Sequence, residues 1–323
     1  MTAPIVLIEG FEHQSHSFFY EVTDTVNTTF PTGRLGGNCL RVNSSYASML
    51  IPGTESEVCI GFAVKGEKYA SSTLPYFLIN DTGGSNLLAL GVSTVRGTTT
   101  HWTGGTSGLV SDWTTFVPAG NWAYVEVKFK YASSGYITIR VNGGQVFSYT
   151  GNTLRTNAST GVISEMQFQG QDVVSNFFNF DDIWVERGAN ADFRGSRKVV
   201  RLLPDGDSTT NWSFATGGGA HYSQVNSATN TATYISTVQG SGAVDSFNIQ
   251  NPGTTISSVE NVQVDALAAR SSVTPGNIAL RSNAVVGTVK PVPTEADSFS
   301  PIRQVFSTPA DLNAATIGVV ASA

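Results

Sequence analysis

The feature that most constrains the fold is the alternation of apolar and polar residues with a period of two. In the segment 122–131 (WAYVEVKFKY), Glu126 and Lys128 fall on one side of an extended chain, and Val125 and Val127 fall on the other. Successive side chains of a β-strand point to opposite faces, so this pattern predicts a strand with one solvent-exposed face and one buried face.

Similar runs recur along the chain, separated by clusters of Gly, Asn, Asp, Pro and Ser. Between two of them, Asn142-Gly143-Gly144 supplies residues that tolerate the positive φ angles of a tight hairpin. The most helix-like segment, 258–272, fits a strand at least as well. We therefore predict an all-β protein, with strands at 5–11, 39–42, 57–64, 75–80, 86–93, 122–131, 136–142, 176–186, 198–203, 232–237, 244–250, 259–267, 277–283, 302–308 and 316–322.

Small and charged residues interrupt this rhythm at 187–198 (RGANADFRGSRK), which is typical of a linker. Beyond it the aromatic content falls, and Ser, Thr, Val and Ala become more frequent. The spacing of the strands after this point is that of a second sandwich. We predict two β-sandwich domains at 1–188 and 197–323, joined by a linker at 189–196.

The charge pattern limits the partners. Only 13% of the residues are charged, the formal net charge is −6, and the densest basic stretch is 194–201 (RGSRKVVR). Nucleic-acid binding needs clustered cations, so we predict no nucleic-acid partner. The absence of a long apolar run predicts no membrane span, and the N-terminal MTAPIVLIEGFE has neither the basic region nor the cleavage site of a secretory signal. We expect a protein made in the cytoplasm and not secreted.

The two cysteines, Cys39 and Cys59, both lie in strand-like runs. We interpret them as buried free thiols, because a cytosolic product normally stays reduced. A cross-link between them remains an alternative if their strands are neighbours.

The adjacent acids Asp181 and Asp182, in NFFNFDDIWVERG (176–188), are the most obvious candidate for acid–base catalysis. Adjacent side chains of a regular strand point to opposite faces, and Asp182 and Glu186 would lie about 13 Å apart, too far for a glycosidase pair. We interpret one aspartate as an acceptor for backbone N–H groups of a neighbouring loop and the other as facing water.

The histidines offer little support for catalysis. His13 and His16 are three residues apart but lack a third ligand, and we interpret them as part of a solvated loop. His101 and His221 stand alone, and the Gly-rich segment 97–108 is expected to be a long exposed loop. We predict no catalytic residue, no cofactor and no metal site.

Trp102 and Trp113 both lie in loop-like sequence rich in Gly, Ser and Thr. Exposed indoles anchor protein interfaces or stack on sugar rings, whereas buried ones close the end of a sandwich. All three roles remain open for these two residues. In contrast, we expect Trp122, Trp184 and Trp212 to be core residues.

Two segments of the first half, 120–153 with its Trp-led strand and Asn-Gly hairpin and 178–186 with its Asp-Asp-hydrophobic pattern, resemble the laminin-G/concanavalin-like jelly roll. The resemblance implies a jelly-roll sandwich at 1–188. The glycosidases of that class carry a Glu-x-Asp-x-x-Glu strand, which this sequence lacks. Calcium-binding members carry acids on facing loops, and here Asp81 is the only plausible donor in that region.

The second half resembles a module of structural proteins of tailed bacteriophages. The resemblance rests on 199–237, where Leu-Pro-Asp-Gly-Asp is followed by a tryptophan and a Thr-Tyr-Ile strand, and on the closing segment 308–322. It implies a non-enzymatic structural protein of the virion, in the tail, a fibre or the head decoration. Its partners would be further copies, in a closed ring or trimer, and other virion proteins. The alternative is a carbohydrate-binding module for host polysaccharide that uses Trp102 or Trp113.

Overall fold

The structure is a computed structural model that describes residues 3–11, 14, 19, 21–23, 28–66, 74–93, 96–102, 108–112, 120–156, 162–170, 177–214, 218–225, 234–237, 242–251, 258–269, 276–292, 300–307 and 315–322. The chain forms two compact units, Met1–Val199 and Val200–Ala323. The division falls just beyond the linker predicted at 189–196. No described helix is long and apolar enough to cross a membrane.

The first unit consists of strands. They are β1 (Ile5–Glu9), β2 (Glu21–Val22), β3 (Thr28–Thr29), β4 (Leu40–Val42), β5 (Tyr46–Leu50), β6 (Glu57–Gly66), β7 (Leu74–Asp81), β8 (Asn86–Ser93), β9 (Arg96–Trp102), β10 (Gly108–Asp112), β11 (Ala123–Lys130), β12 (Gly135–Val141), β13 (Gly144–Gly151), β14 (Ile163–Gln169) and β15 (Phe178–Arg187).

These strands form two antiparallel sheets. Sheet A has the order β13-β12-β11-β6-β15-β4-β3, with β1 also paired to β15. Sheet B has the order β10-β9-β8-β7-β14-β5-β2. The non-consecutive neighbours mean that the chain crosses repeatedly between the two sheets, which is the jelly-roll type of sandwich. The predicted all-β class is confirmed.

The core lies between the inner faces of the two sheets, as the alternating pattern predicts. The rings of Phe62 and Phe77 are 4.6 Å apart, and those of Phe168 and Phe180 are 4.8 Å apart, which joins β6 and β15 of sheet A to β7 and β14 of sheet B. All four side chains are fully buried. Tilted aromatic pairs at this distance add to the hydrophobic stabilisation of the core.

The guanidinium group of Arg187, at the end of β15, also bridges the two sheets. It donates hydrogen bonds to the carbonyl oxygens of Ile51, Glu55 and Ile163, at 3.1, 2.7 and 2.6 Å. A buried cation is costly unless it is paired. These carbonyls and that of Pro52 accept from the two Nη groups, and Nε lies 3.1 Å from the Glu55 carboxylate. Arg187 therefore fixes the end of the central strand of sheet A against the start of β14.

Both cysteines are free and buried, as expected. Cys39 immediately precedes β4, and Cys59 lies on β6. Strand β15 runs between β4 and β6 in sheet A, so the two cysteines are not on neighbouring strands.

The second unit contains strands β16 (Pro204–Thr210), β17 (Ser213–Phe214), β18 (Ile235–Ser236), β19 (Val244–Ile249), β20 (Asn261–Ala268), β21 (Gly276–Ser282), β22 (Val285–Val286), β23 (Lys290–Val292), β24 (Ser300–Ser307) and β25 (Thr316–Ser322), and helix α1 (Tyr222–Val225). Its main sheet has the order β16-β19-β25-β21-β22, with β23 also on β21. The pairs β17-β18 and β20-β24 form two small sheets. The core is built around Val264, Leu280, Ile302 and Phe306.

Two sequence expectations are resolved here. Within the helix-like segment 258–272, residues Asn261–Ala268 form strand β20. The expectation that 97–108 is a long exposed loop is wrong for residues 97–102, because Arg96–Trp102 form β9, in which Thr99 and His101 are buried. Three consecutive threonines suit a half-buried strand, and this β-propensity signal was outweighed by the flanking glycines. Residues 103–107 lie outside the described residues.

His101 is a buried titratable residue of the core of the first unit. Its side chain is 2% exposed and its ring centroid lies 4.4 Å from that of Tyr149, and neither ring nitrogen has a hydrogen-bond partner among the residues that the structure describes. Burial lowers the pKa of His101 below its ordinary value of 6.5. The folded state therefore favours the neutral ring, and the unfolded chain binds the extra proton.

We predict that the stability of the first unit is highest above about pH 6.5 and decreases as the pH falls through that value, by at most about 1.4 kcal/mol per pH unit for this one proton. The variant His101→Leu should lose this part of the pH dependence. The measurement is urea unfolding at pH values on both sides of 6.5, with His221→Gln in the second unit as the control. An unchanged pH dependence in His101→Leu would contradict the prediction.

Candidate functional site

Residues 188–199, which we call the strap, cover the outer face of sheet A over β15 and β11. Ala191 and Phe193 of the strap pack with Trp184 and Tyr124 in a small apolar cluster outside the main core. The guanidinium group of Arg140 lies 3.9 Å from the ring centroid of Phe193, in a cation–π contact. The segment predicted as a linker is therefore an ordered part of the first unit.

Two carboxylates beneath the strap hold its backbone. Glu126 accepts the N–H groups of Arg194 and Gly195 at 2.8 and 2.7 Å. Glu186 accepts the N–H of Asp192 at 2.8 Å and pairs with the guanidinium group of Arg194. Both acids are at most 1% exposed. Because their lone pairs are directed to fixed donors, they position the strap and do not face a cleft.

Asp181 and Asp182 have the same kind of role, but the predicted geometry is wrong. Residues 178, 180, 183 and 185 face the core, so one extra residue is inserted at Asp182, and the ladder with β6 shifts register there. Asp182 has a positive φ of 52°, which Asp adopts more readily than most residues. This β-bulge removes the strict alternation from which opposite faces were inferred.

Both aspartates bind the loop that carries Arg34. Asp181 accepts the Arg34 backbone N–H at 2.8 Å, and Asp182 accepts the Arg34 Nε–H at 2.8 Å and the Val199 N–H at 2.7 Å. Burial raises the pKa of Asp182, against the opposing effects of the Val199 N–H and of Arg34. Both side chains are at most 3% exposed, so the expectation that one of them faces water is wrong.

The outer face of sheet B is different, because neutral polar side chains predominate on it. We call this surface the polar face. By register it comprises Tyr46, Ser48 and Leu50 of β5, Glu165, Gln167 and Gln169 of β14, Leu78 and Asn80 of β7, Ala89 of β8, and Thr98 and Thr100 of β9. Most of these side chains carry an amide or a hydroxyl group, and rigid central strands hold them.

The centre of the polar face has hydrogen-bonding capacity that the described residues do not use. Asn80 Nδ2 donates to Gln167 Oε1 at 3.2 Å, across β7 and β14. Asn80 Oδ1 and Ser48 Oγ are buried and have no hydrogen-bond partner among the described residues. Buried polar groups are normally hydrogen-bonded, so unpartnered ones need an explanation such as a ligand or water.

Gln167 links the two unpartnered groups, because it lies opposite Ser48 in the pairing of β14 with β5 and contacts Asn80 on its other side. Gln167, Gln169 and Tyr46 are all partly exposed, and Leu50 is 50% exposed. Ser48 and Asn80 are 0 and 3% exposed and therefore lie beneath the surface, whereas Tyr46, Gln167 and Gln169 carry the polar groups of this face that reach solvent. Such an arrangement can bind a neutral polyhydroxylated molecule through several hydrogen bonds.

The structure separates the tryptophans that were singled out in the sequence. Trp102 is the last residue of β9, and Trp113 lies outside the described residues. Trp184 is buried in the cluster under the strap, and Trp122 and Trp212 are partly buried against apolar clusters. For Trp102 and Trp113, the three possible roles of closing the end of the sandwich, anchoring a protein interface and contacting a glycan all stay predictions.

The remaining candidates occupy structural positions. His13 and His16 lie outside the described residues. His221 Nδ1 lies 2.6 Å from Asp245 Oδ2, in the second unit, so His221 does not stand alone. Asp81 Oδ1 accepts the N–H groups of Gly83 and Ser85 at the turn after β7, at 3.0 and 2.7 Å. Among the described residues, no three His, Cys, Asp or Glu side chains form a metal-binding cluster.

The sequence does carry one signal for the polar face that its analysis missed. In β14 (ISEMQFQ), Met166 and Phe168 alternate with Glu165, Gln167 and Gln169. Outward positions of an ordinary exposed strand are often charged, whereas here amides predominate. The signal could show only a strand with an amide-rich face, because Asn80 and Ser48 join it through pairing between distant segments.

We predict that Asp182→Asn destabilises the first unit by about 3 kcal/mol, because it removes one partner of a buried ion pair while keeping a residue that tolerates positive φ. The matched control is Asp192→Asn, because the Asp192 side chain is 70% exposed in its pair with Lys128. The control should change stability by less than about 1 kcal/mol. Urea unfolding measures both, and equal effects would contradict a structural role for the buried pair.

No family model matches the sequence, and no curated protein matches it. Solved structures similar to the chain include an endo-β-1,4-glucuronan lyase from Trichoderma reesei, at 13% identity and a TM-score of 0.41 over 53% of this chain and 91% of that one. They also include an alginate lyase variant in complex with alginate trisaccharide, at 14% identity and 0.43 over 58% and 99%. A third is domain 4 of an extracellular arabinanase from Geobacillus stearothermophilus in complex with arabinotriose, at 15% identity and 0.40 over 58% and 94%. These scores carry no conclusion about function.

Proposed function

We propose that this chain is a carbohydrate-binding β-sandwich protein whose ligand lies on the polar face. The observation that carries the proposal is the row of partly exposed side chains Tyr46, Gln167 and Gln169, whose amide and hydroxyl groups are backed by the buried polar side chains of Ser48 and Asn80. A sugar hydroxyl group both donates and accepts hydrogen bonds, so one sugar ring can satisfy several such groups at once.

The position of these groups on strands favours binding. Asn80, Gln167 and Ser48 lie on β7, β14 and β5, which are adjacent strands in the interior of sheet B. Ladder hydrogen bonds on both sides of β7 and β14 hold their backbones, so little conformational entropy is lost on binding. Tyr46, on the same face of β5, adds an aromatic side chain next to the amides.

We propose that the protein is not an enzyme. The buried carboxylates Asp181, Asp182, Glu126 and Glu186 are all occupied by Arg34, Val199 or strap donors on the opposite sheet. A glycosidase needs two carboxyl groups about 5–10 Å apart that flank the scissile bond. The described carboxylate of the polar face is Glu165, which supports binding without hydrolysis.

The setting that we propose is a tailed phage particle, where the protein would display the polar face to host polysaccharide. Support comes from the resemblance of 199–237 and 308–322 to structural proteins of such phages. In this module Asp207 accepts the N–H groups of His221 and Tyr222 at 2.9 and 2.7 Å, and Asp245 accepts that of Trp212 at 2.9 Å. Asp207 and Asp245 therefore fix loops through hydrogen bonds to backbone N–H groups, as expected of a structural domain.

Assembly into oligomers is also supported by an exposed apolar edge. Val285, Val286 and Val289 are 58, 52 and 48% exposed, and the first two form β22, at the end of the main sheet of the second unit. Edge strands with exposed apolar residues tend to pair with other chains unless they are covered. A further copy of the chain would bury these valines.

We predict that Gln167→Ala and Asn80→Ala each weaken binding to a recognised glycan about fivefold, or about 1 kcal/mol, because Gln167 would bind the ligand and Asn80 Nδ2 holds the Gln167 amide at 3.2 Å. Thr138→Ala is the matched control, since Thr138 is a partly exposed polar residue on the outer face of sheet A. A glycan array followed by calorimetry on the parent and the variants makes the measurement.

The same array distinguishes the polar face from the loop-borne tryptophans. Loss of binding in Trp102→Ala with unchanged binding in Gln167→Ala would move the site to the end of β9. A parent protein that binds no glycan, with folded structure verified by circular dichroism, would refute the proposed function.

We predict that Val286→Lys lowers the mass of the protein in solution, because a charged edge strand resists pairing. Light scattering on the full chain measures this, and Leu35→Lys is the control, since Leu35 is 54% exposed in the first unit. A parent protein that is monomeric and absent from assembled particles would contradict the virion setting.

A further inference from the structure

The strap is held on sheet A through its backbone. Several of its N–H groups donate to carboxylates on β11 and β15, at 2.7 or 2.8 Å, and these groups belong to Asp192, Arg194, Gly195 and Val199. The strap adds no strand to the sheet, since none of residues 188–199, all of which are described, lies in a β-ladder. Its attachment is therefore a row of separate contacts and not an extension of the sheet.

The apolar contacts of the strap lie outside the main core. Phe193 and Ala191 pack with Trp184 and Tyr124 in the small cluster on the outer face of sheet A. The main core lies on the other side of that sheet, and no part of the strap, which is described in full, belongs to it. Segments with few buried apolar contacts open locally at a lower free energy than the core. Opening of the strap would leave the aromatic pairs between the two sheets unchanged.

The strap also occupies the junction between the two units. Strand β15 ends at Arg187, the first unit ends with the strap at Val199, and the second unit begins at Val200. The chain therefore reaches the second unit only through the strap. A load between the units acts first on the Val199 N–H that Asp182 accepts, and then on the remaining strap contacts one after another. Because separate contacts that are loaded in turn do not share the load, the strap is the first part of the first unit to give way.

Opening of the strap also brings water to the charges that it covers. While the strap is closed, Glu126 and Glu186 are at most 1% exposed and depend on its N–H groups. When the strap opens, water reaches both carboxylates and replaces the lost donors. Asp182 keeps the Nε–H group of Arg34, which lies in a different loop. The high cost of a charge that is both buried and unpaired is therefore avoided.

From these contacts we infer that the strap is an extendable tether, which detaches from sheet A as one unit while both sandwich units stay folded. About a dozen extended residues span at most about 40 Å, which is the largest reach that opening adds between the units. The inference does not rest on the proposed function, because it depends only on the position of the strap and on its contacts. Two units that are bound to separate targets would then move apart by this distance without unfolding.

Native-state hydrogen exchange of the full chain tests whether the strap opens alone. The probes are the amides of Arg194, Gly195 and Val199, and the references are the ladder amides of β6 and β15. We expect the protection factors of the probes to be at least about tenfold lower and to change little with low concentrations of urea, because local opening exposes little surface. Equal protection and equal urea dependence would overturn the inference, because the strap would then open only together with the sandwich.

A variant beneath the strap tests whether it opens as one unit. Glu126→Ala removes the acceptor of the Arg194 and Gly195 N–H groups. If the strap is a single unit, the protection of the Val199 amide should also fall about tenfold, although a different carboxylate accepts that amide. A loss of protection confined to Arg194 and Gly195 would contradict a single opening unit.

A second variant makes the corresponding change on the strap itself. Phe193→Ala removes the ring that packs on Arg140 and alters no residue of the main core, so it keeps the test valid if Glu126→Ala does not fold. It should lower the protection of all three probe amides and leave the ladder amides of β6 unchanged. Thr138→Ala, on the outer face of sheet A, is the control and should change neither set. Unchanged probe amides in Phe193→Ala would overturn the inference.

Optical tweezers on the full chain, with handles at the two termini, measure the added reach. We expect a first extension of at most about 40 Å before either unit unfolds, whereas unfolding of even the smaller unit, Val200–Ala323, releases at least about 400 Å. Phe193→Ala should lower the force of this first step, and Thr138→Ala should not. Unfolding of a unit without a shorter step before it would overturn the inference, as would a short step that Phe193→Ala leaves unchanged.

Discussion

The burial of strand β15 on both of its faces is the constraint on which the first unit depends. All ten of its residues are buried, although the sequence FNFDDIWVER contains four ionisable groups. Its inner side chains pack in the main core, and its outer ones are covered by the strap and by the loop of Arg34. Buried charges are tolerable only when each has partners, so the covering segments are as necessary to the strand as the core is.

This requirement explains why the two outer faces differ. Sheet A carries the acids and cations that fix the strap, and it is consequently closed. In the described central strands of sheet B, the outward side chains are mostly amides, hydroxyls and apolar groups, with the carboxylate of Glu165 among them. The sandwich therefore has one outer face that the strap covers at its centre and one on which amide and hydroxyl groups predominate.

The second unit repeats the same physical principle on a smaller core. Asp207 and Asp245 bind backbone N–H groups of the segments that follow β16, and Asp245 also pairs with His221. In both units, acids that attract attention in the sequence are acceptors for loop N–H groups. Polar loops cannot be fixed by apolar packing, so in a chain with many turns each buried carboxylate fixes a loop through hydrogen bonds to its backbone N–H groups.

The sequence by itself determined the all-β class, many of the strands and the two buried free cysteines, but not β5, β13 or the central strand β14 of sheet B, and no strand forms at the predicted 198–203. The features that it determined follow from the alternation of apolar and polar residues, which is a pattern between neighbours in the chain and can be recognised without coordinates. Only the tertiary structure decided the bulge at Asp182, the fixed strap in place of a linker, and the polar face formed by Ser48, Asn80 and Gln167. Each of these depends on pairing between segments far apart in the chain, such as Arg34 with Asp182, and local sequence pattern carries no information about such pairing.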